Sequence, residues 1–325
     1  MPTFFFLFPG GTFHKNELYG IMKGNLGSYR EFFRNFKNLR KGEFMDKYPI
    51  GVFASIGAGL GVRLEVVEEL GIHSVQLCCP HKEDRTEENA REFIQKLEKI
   101  GVKISVVFCD FKGESYATIQ KTKETIGLVP PTLRNERKQE IREIADFAKV
   151  LGCDRIGIHI GFIPHETDSD DYRDLVASLQ ELADYLKAQG QAFHLETGQE
   201  KADGLLQFLT DVGRDNVFIN FDPANMILYG SGEPIPALKK LGKYVRSCHC
   251  KDAKWSDQPG ETWGAEVPFG TGDVNAKLFL ETLKEIGYEG PLTIEREIPA
   301  EPERQKAEIS QAMELIESLK KEIWG

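Results

Sequence analysis

From residue 48 onward the chain repeats one unit eight times, a short apolar run followed by an amphipathic stretch. The runs are YPIGVFA (48–54), HSVQLCC (73–79), VKISVVFCDF (102–111), DRIGIHIG (154–161), AFHLET (192–197), VFINFD (217–222), YVRSCHC (244–250) and GPLTIERE (290–297). The stretches between them carry apolar residues at i, i+3, i+4 and i+7, and several end at Gly, which is helix patterning. The runs mix alternating with continuous apolar residues, as parallel strands covered on both faces do. Eight consecutive βα units predict the α/β class and a closed (β/α)₈ barrel. An open doubly wound sheet is the alternative. Its dinucleotide fingerprint is missing, because GAGLG at 57–61 lacks the third Gly at the required spacing.

In such a barrel the C-terminal strand ends converge on one mouth, where active sites sit. Glu196, Asp222, His249 and Glu295 lie at or near the ends of four consecutive runs. Three carboxylates and an imidazole gathered without a cation would repel one another. Around a divalent cation they form a coordination shell for Mn²⁺, Mg²⁺, Co²⁺ or Zn²⁺, with Mn²⁺ the leading choice. Each residue also has a plainer reading. Glu196 could be a surface acid at a strand end. Asp222 before Pro223 could cap a helix. His249 could be a satisfied core residue, and Glu297 rivals Glu295 on the same strand face. Four ligand types on four successive strands outweigh those readings taken one at a time.

Composition sets outer bounds. A chain of 325 residues with 41% hydrophobic and 28% charged residues suits a globular fold with one large core. The formal net charge of −10 argues against a nucleic-acid surface, which needs clustered Lys and Arg. The six cysteines show no CxxC spacing, so buried thiols in a reducing, cytoplasmic setting are expected. In Cys248-His249-Cys250, strand alternation turns both thiols away from the imidazole.

Residues 1–44 differ from the remainder, opening with FFFLF and carrying seven Lys or Arg against three Glu. The apolar run is too short to span a membrane. Met45 directly precedes the first strand-like run. Residues 1–44 therefore read as a non-core extension or a mis-set start, and 45–325 as the barrel domain. Two long insertions, 110–132 and 251–275, fall on the mouth side and are expected to cover a pocket.

Further candidates line that mouth. His159 ends the fourth run and could touch a substrate hydroxyl or simply pack there. His194 shares a strand face with Glu196, one layer below, and is expected to hydrogen-bond behind the site rather than ligate. Lys251 could neutralise an enediolate or a phosphate, or pair with Asp252 or another loop acid. Gln199 and Glu200 could bind substrate or cap the next helix. Gly270 and Gly272 shape a turn, since no P-loop Lys-Ser/Thr follows them. Trp255 and Trp263 either wall a sugar ring or make a dimer contact, which leaves a homo-oligomer open.

The segments HLETGQE, INFDPANMILYG, CHCKDA, FGTGDVN and LTIERE, within about residues 47–300, resemble the xylose isomerase-like TIM-barrel superfamily, the sugar phosphate isomerase/epimerase group. The resemblance implies one divalent cation held by Glu196, Asp222, His249 and Glu295, with Glu196 and Glu295 doubling as proton carriers. It implies proton transfer beside a sugar carbonyl through a metal-stabilised enediolate, giving isomerisation or epimerisation of a small carbohydrate. Elimination from a keto-sugar, inosose or 3-keto-glycoside is the second outcome. A hydrolase like endonuclease IV would need more His ligands than a chain with seven His readily offers. A non-catalytic sugar-binding barrel leaves the ligand set unexplained. The chain also departs from the ketose 3-epimerases, which carry a His where Asn225 stands and an Arg where Trp255 stands. Asn225 keeps a place among the substrate-binding candidates.

Overall fold

The computed structural model describes residues 47–55, 61–298 and 301–325. The expected boundary after residue 44 lies outside the described residues. Eight parallel strands close into a barrel: β1 (Ile50–Ser55), β2 (Ser74–Cys78), β3 (Lys103–Phe108), β4 (Arg155–Ile158), β5 (Ala192–Glu196), β6 (Val217–Phe221), β7 (Val245–Cys250) and β10 (Leu292–Ile294). Each neighbours the next in sequence, and β10 closes the ring by pairing with both β7 and β1. The fold is the TIM barrel that the eightfold repeat predicts, and seven of the eight strands lie within their runs, β1 running one residue past its own. Among the described residues, no helix is long and apolar enough to cross a membrane.

The helices follow from the same patterning. Helix α1 (Leu64–Glu69) follows β1, and α2 (Glu87–Ile100) follows β2. Thr86 caps the latter by accepting from Asn89 N, and Gly101 ends it in the left-handed conformation at φ 70°. Then come α3 (Ile119–Thr125), α4 (Pro131–Val150), α5 (Asp170–Ala188) and α6 (Ala202–Val212). They are followed by α7 (Pro223–Tyr229), α8 (Pro234–Leu241), α9 (Ala276–Glu285) and α10 (Pro302–Trp324). Outward strand residues such as Phe193, Leu195, Ile219, Phe221, Cys248, Cys250, Leu292 and Ile294 lie fully buried beneath these helices.

The barrel interior divides into two halves. Phe53, Cys78, Val106 and Phe108, from β1 to β3, form an apolar cluster of their own. Gly157 on β4 makes room for it, because a Cβ there would meet the Phe108 ring at 2.6 Å. The inward positions of β5, β6, β7 and β10 are polar: His194, Glu196, Asn220, Ser247, His249 and Thr293 are all buried. The polar half therefore faces an apolar wall rather than water.

Both insertions carry elements that periodicity did not show. The first contains α3, started by Thr118, whose side chain accepts from Lys121 N. The second contains an antiparallel hairpin, β8 (Asp252–Lys254) with β9 (Ala265–Val267), paired Asp252 to Val267. Three-residue strands that pair across so wide a gap leave no local signal. The Gly270–Gly272 turn does shape this loop. Asp252 accepts backbone N–H bonds from Gly270 (2.9 Å), Gly272 (3.0 Å), Val274 (3.1 Å) and Ala253 (2.9 Å).

Candidate metal centre

Four side chains from the polar half meet at one point. His249 Nδ1 lies 3.1 Å from each of Glu196 Oε1, Asp222 Oδ2 and Glu295 Oε2. All four residues are buried, and their donor atoms lie within 4.8 Å of one another. Two ligands held at about 2.1 Å and at right angles stand roughly 3 Å apart, so this spacing suits the shell of a single hard cation.

The imidazole tautomer strengthens that fit. His249 Nε2 lies 2.6 Å from Gln76 Oε1, an acceptor, so the Nε2 proton is committed there. The Asn220 amide nitrogen at 3.3 Å is then a neighbour and not a partner. Gln76 is in turn oriented by its own donation to Asn220 Oδ1 at 3.1 Å. Burial opposes a charge on His249, but Glu295, Glu196 and Asp222 outweigh it and hold the imidazole protonated well above its usual range. Without a cation Nδ1 therefore carries a proton toward the three acids; a cation would replace that proton and take the Nδ1 lone pair. Phe53 and Phe108 sit 5.7 and 5.6 Å from the imidazole and keep water from its flank. We expect Gln76→Leu to weaken Mn²⁺ binding about 10- to 100-fold, read by titration calorimetry, because the ring loses the bond that sets its tautomer.

Backbone devices bring the ligands together. Thr197 Oγ1 bonds both Asp222 N and Asp222 O at 2.8 Å, tying the end of β5 to the end of β6. Asp222 also caps α7 by accepting from Asn225 N at 2.9 Å through Oδ1, which leaves Oδ2 for the cluster. The capping reading and the ligand reading of Asp222 thus hold together. Register irregularities fall just before Gln76 on β2 and just before Asn220 on β6, the two amides beside His249. Bulges commonly re-aim side chains in this way next to functional sites.

Electrostatics separate the carboxylates. Burial raises Asp222 to about 6, partly opposed by its bond to His249 and by Lys251. For Glu295 burial also opposes the charge, but His249 and Lys251 outweigh it and hold the group well below the usual carboxylate range. Lys251 is buried, with Nζ 3.0 Å from Glu295 Oε2, 2.5 Å from Glu297 Oε1 and 3.5 Å from Asn225 Oδ1. Burial opposes its charge too, yet Glu295, Glu297 and Glu266 keep it firmly protonated. Glu297, the sequence rival of Glu295, serves Lys251 instead of the cluster. Asp252 is not the partner of Lys251, because its oxygens are taken by the backbone of its own loop.

The remaining candidates surround Glu196. Asn225 Nδ2 donates to Glu196 Oε1 at 3.0 Å. His159 Nε2 lies 3.2 Å from Glu196 Oε2, and Gln199 Nε2 lies 3.2 Å from His159 Nδ1. With Gln199 donating to Nδ1, His159 carries its proton on Nε2 and gives it to Glu196. His194 Nδ1 meets Ser247 Oγ at 2.7 Å, a hydrogen bond from β5 to β7. Burial, with Arg155 and Arg246 nearby, lowers His194 to about 3 and keeps it neutral. Glu200 neither caps a helix with its carboxylate nor joins the cluster. It accepts from Ile163 N at 2.8 Å and anchors the loop after β4.

Burial raises Glu200 to about 8, against small opposing effects of the Ile163 bond and Lys123. The unfolded chain releases this proton near the usual carboxylate value, while the folded protein keeps it up to about 8. Folding stability from this group is therefore complete at low pH and declines as pH rises through that window. Glu200→Gln keeps the acceptor for Ile163 and has no proton to lose. Its melting temperature relative to wild type should rise between pH 5 and pH 9, and parallel melting curves would contradict this.

Sequence reasoning missed Gln76, Asn220 and Thr197. The first two did carry a signal, a polar residue at the inward phase of an otherwise apolar run. Thr197 had none, since its role depends on β5 and β6 being neighbours.

The comparisons with known proteins agree with this architecture. A crystal structure of a xylose isomerase domain protein from Planctomyces limnophilus is 53% identical, with TM-score 0.83, over 85% of this chain and 98% of that one. An L-ribulose 3-epimerase of Methylomonas sp. (strain DH-1) is 27% identical over 51% of this chain and 57% of its own length. An inosose dehydratase of Lacticaseibacillus casei is 25% identical over 41% of this chain and 49% of its own. The chain thus spans about half the length of those two curated relatives. The sequence pattern of the xylose isomerase-like TIM barrel family matches residues 64–320, so the chain belongs to that family.

Proposed function

We propose that the protein is a divalent-metal-dependent sugar isomerase or epimerase that moves a proton on carbon beside a carbonyl. The observation that carries this reading is the convergence of three carboxylate oxygens on His249 Nδ1 while Nε2 is committed to Gln76. Glu196, Asp222, His249 and Glu295 would hold one cation, Mn²⁺ first, with Mg²⁺, Co²⁺ or Zn²⁺ as substitutes. When bound, the cation supplies Lewis-acid polarisation of a carbonyl and the hydroxyl next to it.

Glu196 and Glu295 are the two proton carriers, one taking a proton from carbon and the other returning one. His159 donates to Glu196, so Glu196 is oriented before substrate arrives. Lys251, beside Glu295, stabilises the negative charge of an enediolate. Gln199 and Asn225 complete the rim that meets the sugar hydroxyls. Return of the proton to the same carbon is epimerisation, and return to the neighbouring carbon is isomerisation. Loss of a β-hydroxyl instead is elimination, and one feature favours keeping that reading. Asn225, which stands where ketose 3-epimerases carry a His, spends its amide nitrogen on Glu196 and leaves only its side-chain oxygen for a sugar hydroxyl. The reading places the protein in carbohydrate metabolism, in the cytoplasm, with no nucleic-acid or membrane partner.

Incubation of the Mn²⁺-loaded protein with ketoses and inososes in D₂O tests this reading. Deuterium on carbon without loss of water supports isomerase or epimerase chemistry, and loss of water supports the lyase. Elemental analysis should find about one cation per chain. Two or more tightly bound zinc ions would overturn the proposal in favour of a hydrolase.

A further inference from the structure

Beside Glu196 the mouth runs on into a strip of aromatic rings. Asn225, which donates to Glu196, and Tyr229 lie four residues apart on α7 and so share a helix face. Tyr229 packs edge-on against Trp263, with ring centres 4.6 Å apart, and against Phe162 at 5.6 Å. The β5 loop is pressed against it, because a Cβ at Gly198 would meet Asn225 Cβ at 2.9 Å and the Tyr229 ring at 3.1 Å. Gln199, beside the Tyr229 hydroxyl, continues through His159 to Glu196. Lys123 lies 5.1 Å over the Phe162 ring and brings positive charge to that end of the strip.

One observation shows that this strip is unfinished. Trp263 Nε1 is a buried donor with no acceptor among the described residues. Tyr116, in the insertion after β3, is 44% exposed. Burial pushes that phenol well above its usual range, with Glu114, Tyr229, Glu196 and Glu297 close enough to add to the effect. The segment that carries Tyr116 is not loose. Glu114 accepts from Gly127 N at 2.7 Å, Arg137 donates to Gly127 O at 2.5 Å, and Ser115 N donates to Thr125 Oγ1 at 3.0 Å.

Four rings, from the loops after β3, β4 and β7 and from the end of α7, thus adjoin one side of the ligand set. A single polyhydroxy ring held by Lys251, His159 and the cluster needs donors and acceptors, not a second apolar wall. We infer that Tyr116, Phe162, Tyr229 and Trp263 form a subsite for a second ring. The substrate is then a glycoside or another sugar derivative with a ring beyond the reacting one. Rings with an apolar face and a polar edge are what Tyr and Trp accommodate. The inference rests on the reading of the metal centre as a sugar site.

The test compares ligands on the Mn²⁺-loaded protein by calorimetry and tryptophan fluorescence: glucose, methyl β-glucoside, cellobiose and phenyl β-glucoside. A second ring should tighten binding about 10-fold over methyl β-glucoside. Cellobiose against phenyl β-glucoside shows whether that ring is a sugar or an aryl group. Trp263→Ala should collapse the gain, with Trp263→Phe retaining part of it, and melting curves verify that both variants fold. Equal affinities for methyl β-glucoside and both two-ring ligands would overturn the inference, as would a Trp263→Ala loss that falls equally on every ligand. Failure of the underlying reading looks different: no cation bound, or no sugar-dependent deuterium exchange.

Discussion

Glu196→Gln and Glu295→Gln are each expected to cut turnover about 10²-fold or more, the usual scale for losing a general acid or base. Each variant keeps the side-chain size and one ligand oxygen, so the cation stays bound at reduced affinity. Glu196→Gln meets an added conflict, because both carboxylate oxygens accept from neighbours, Asn225 Nδ2 at 3.0 Å and His159 Nε2 at 3.2 Å. The new amide NH₂ must face one of those donors. Asp222→Asn differs in kind. It removes a ligand charge while its cap on α7 survives through Oδ1, so excess Mn²⁺ should restore part of its activity. In D₂O, a Gln variant that still exchanges the substrate's carbon-bound proton but makes no product retains the glutamate that takes that proton. Near-wild-type turnover of both Gln variants at saturating metal would sink the two-carboxylate mechanism. The base would then be sought at His159, since Lys251 is held protonated by its glutamates.

The largest stability loss is expected from Lys251→Met, about 3–5 kcal/mol in denaturant unfolding. Lys251 is 2% exposed, and its ammonium is shared between Glu295 and Glu297, with Glu266 at 4.0 Å. Methionine fills the volume but leaves these acids without their common cation. Arg296 compensates only in part, because its guanidinium is already divided between Glu266 and Glu308, each at 2.6 Å. The double variant Lys251→Met with Glu297→Gln should recover part of the loss, since one uncompensated charge goes with it. A loss under about 1 kcal/mol would mean that water reaches the pair and screens it like a surface ion pair.

Much of this protein is legible in its order of residues. The eight βα units fix the barrel, because strand and helix periods differ and each unit carries both in order. Period-2 phase then assigns the inward side: Glu196 with His194, Asp222 with Asn220, His249 with Ser247. That phase also excludes Cys248 and Cys250 from the site. The strand-end rule carries Glu196, Asp222, His249 and Glu295 to one mouth before any distance is known.

Only the tertiary structure decides what those residues do to one another. No local pattern tells that Gln76, 173 positions from His249, takes its Nε2 proton. Nor does one tell that Lys251 turns to Glu295 and Glu297 while Asp252 turns to four backbone amides. His194 reaches Ser247 because β6 pairs with both β5 and β7 and sets them two places apart in the sheet. The hairpin of β8 and β9 and the meeting of aromatic rings from separate segments arise in the same way. Periodicity reports the environment each residue needs, since burial acts on neighbours along the chain. Partners in a hydrogen bond or ion pair depend on distances of about 3 Å between segments far apart in sequence, which only the closed barrel sets.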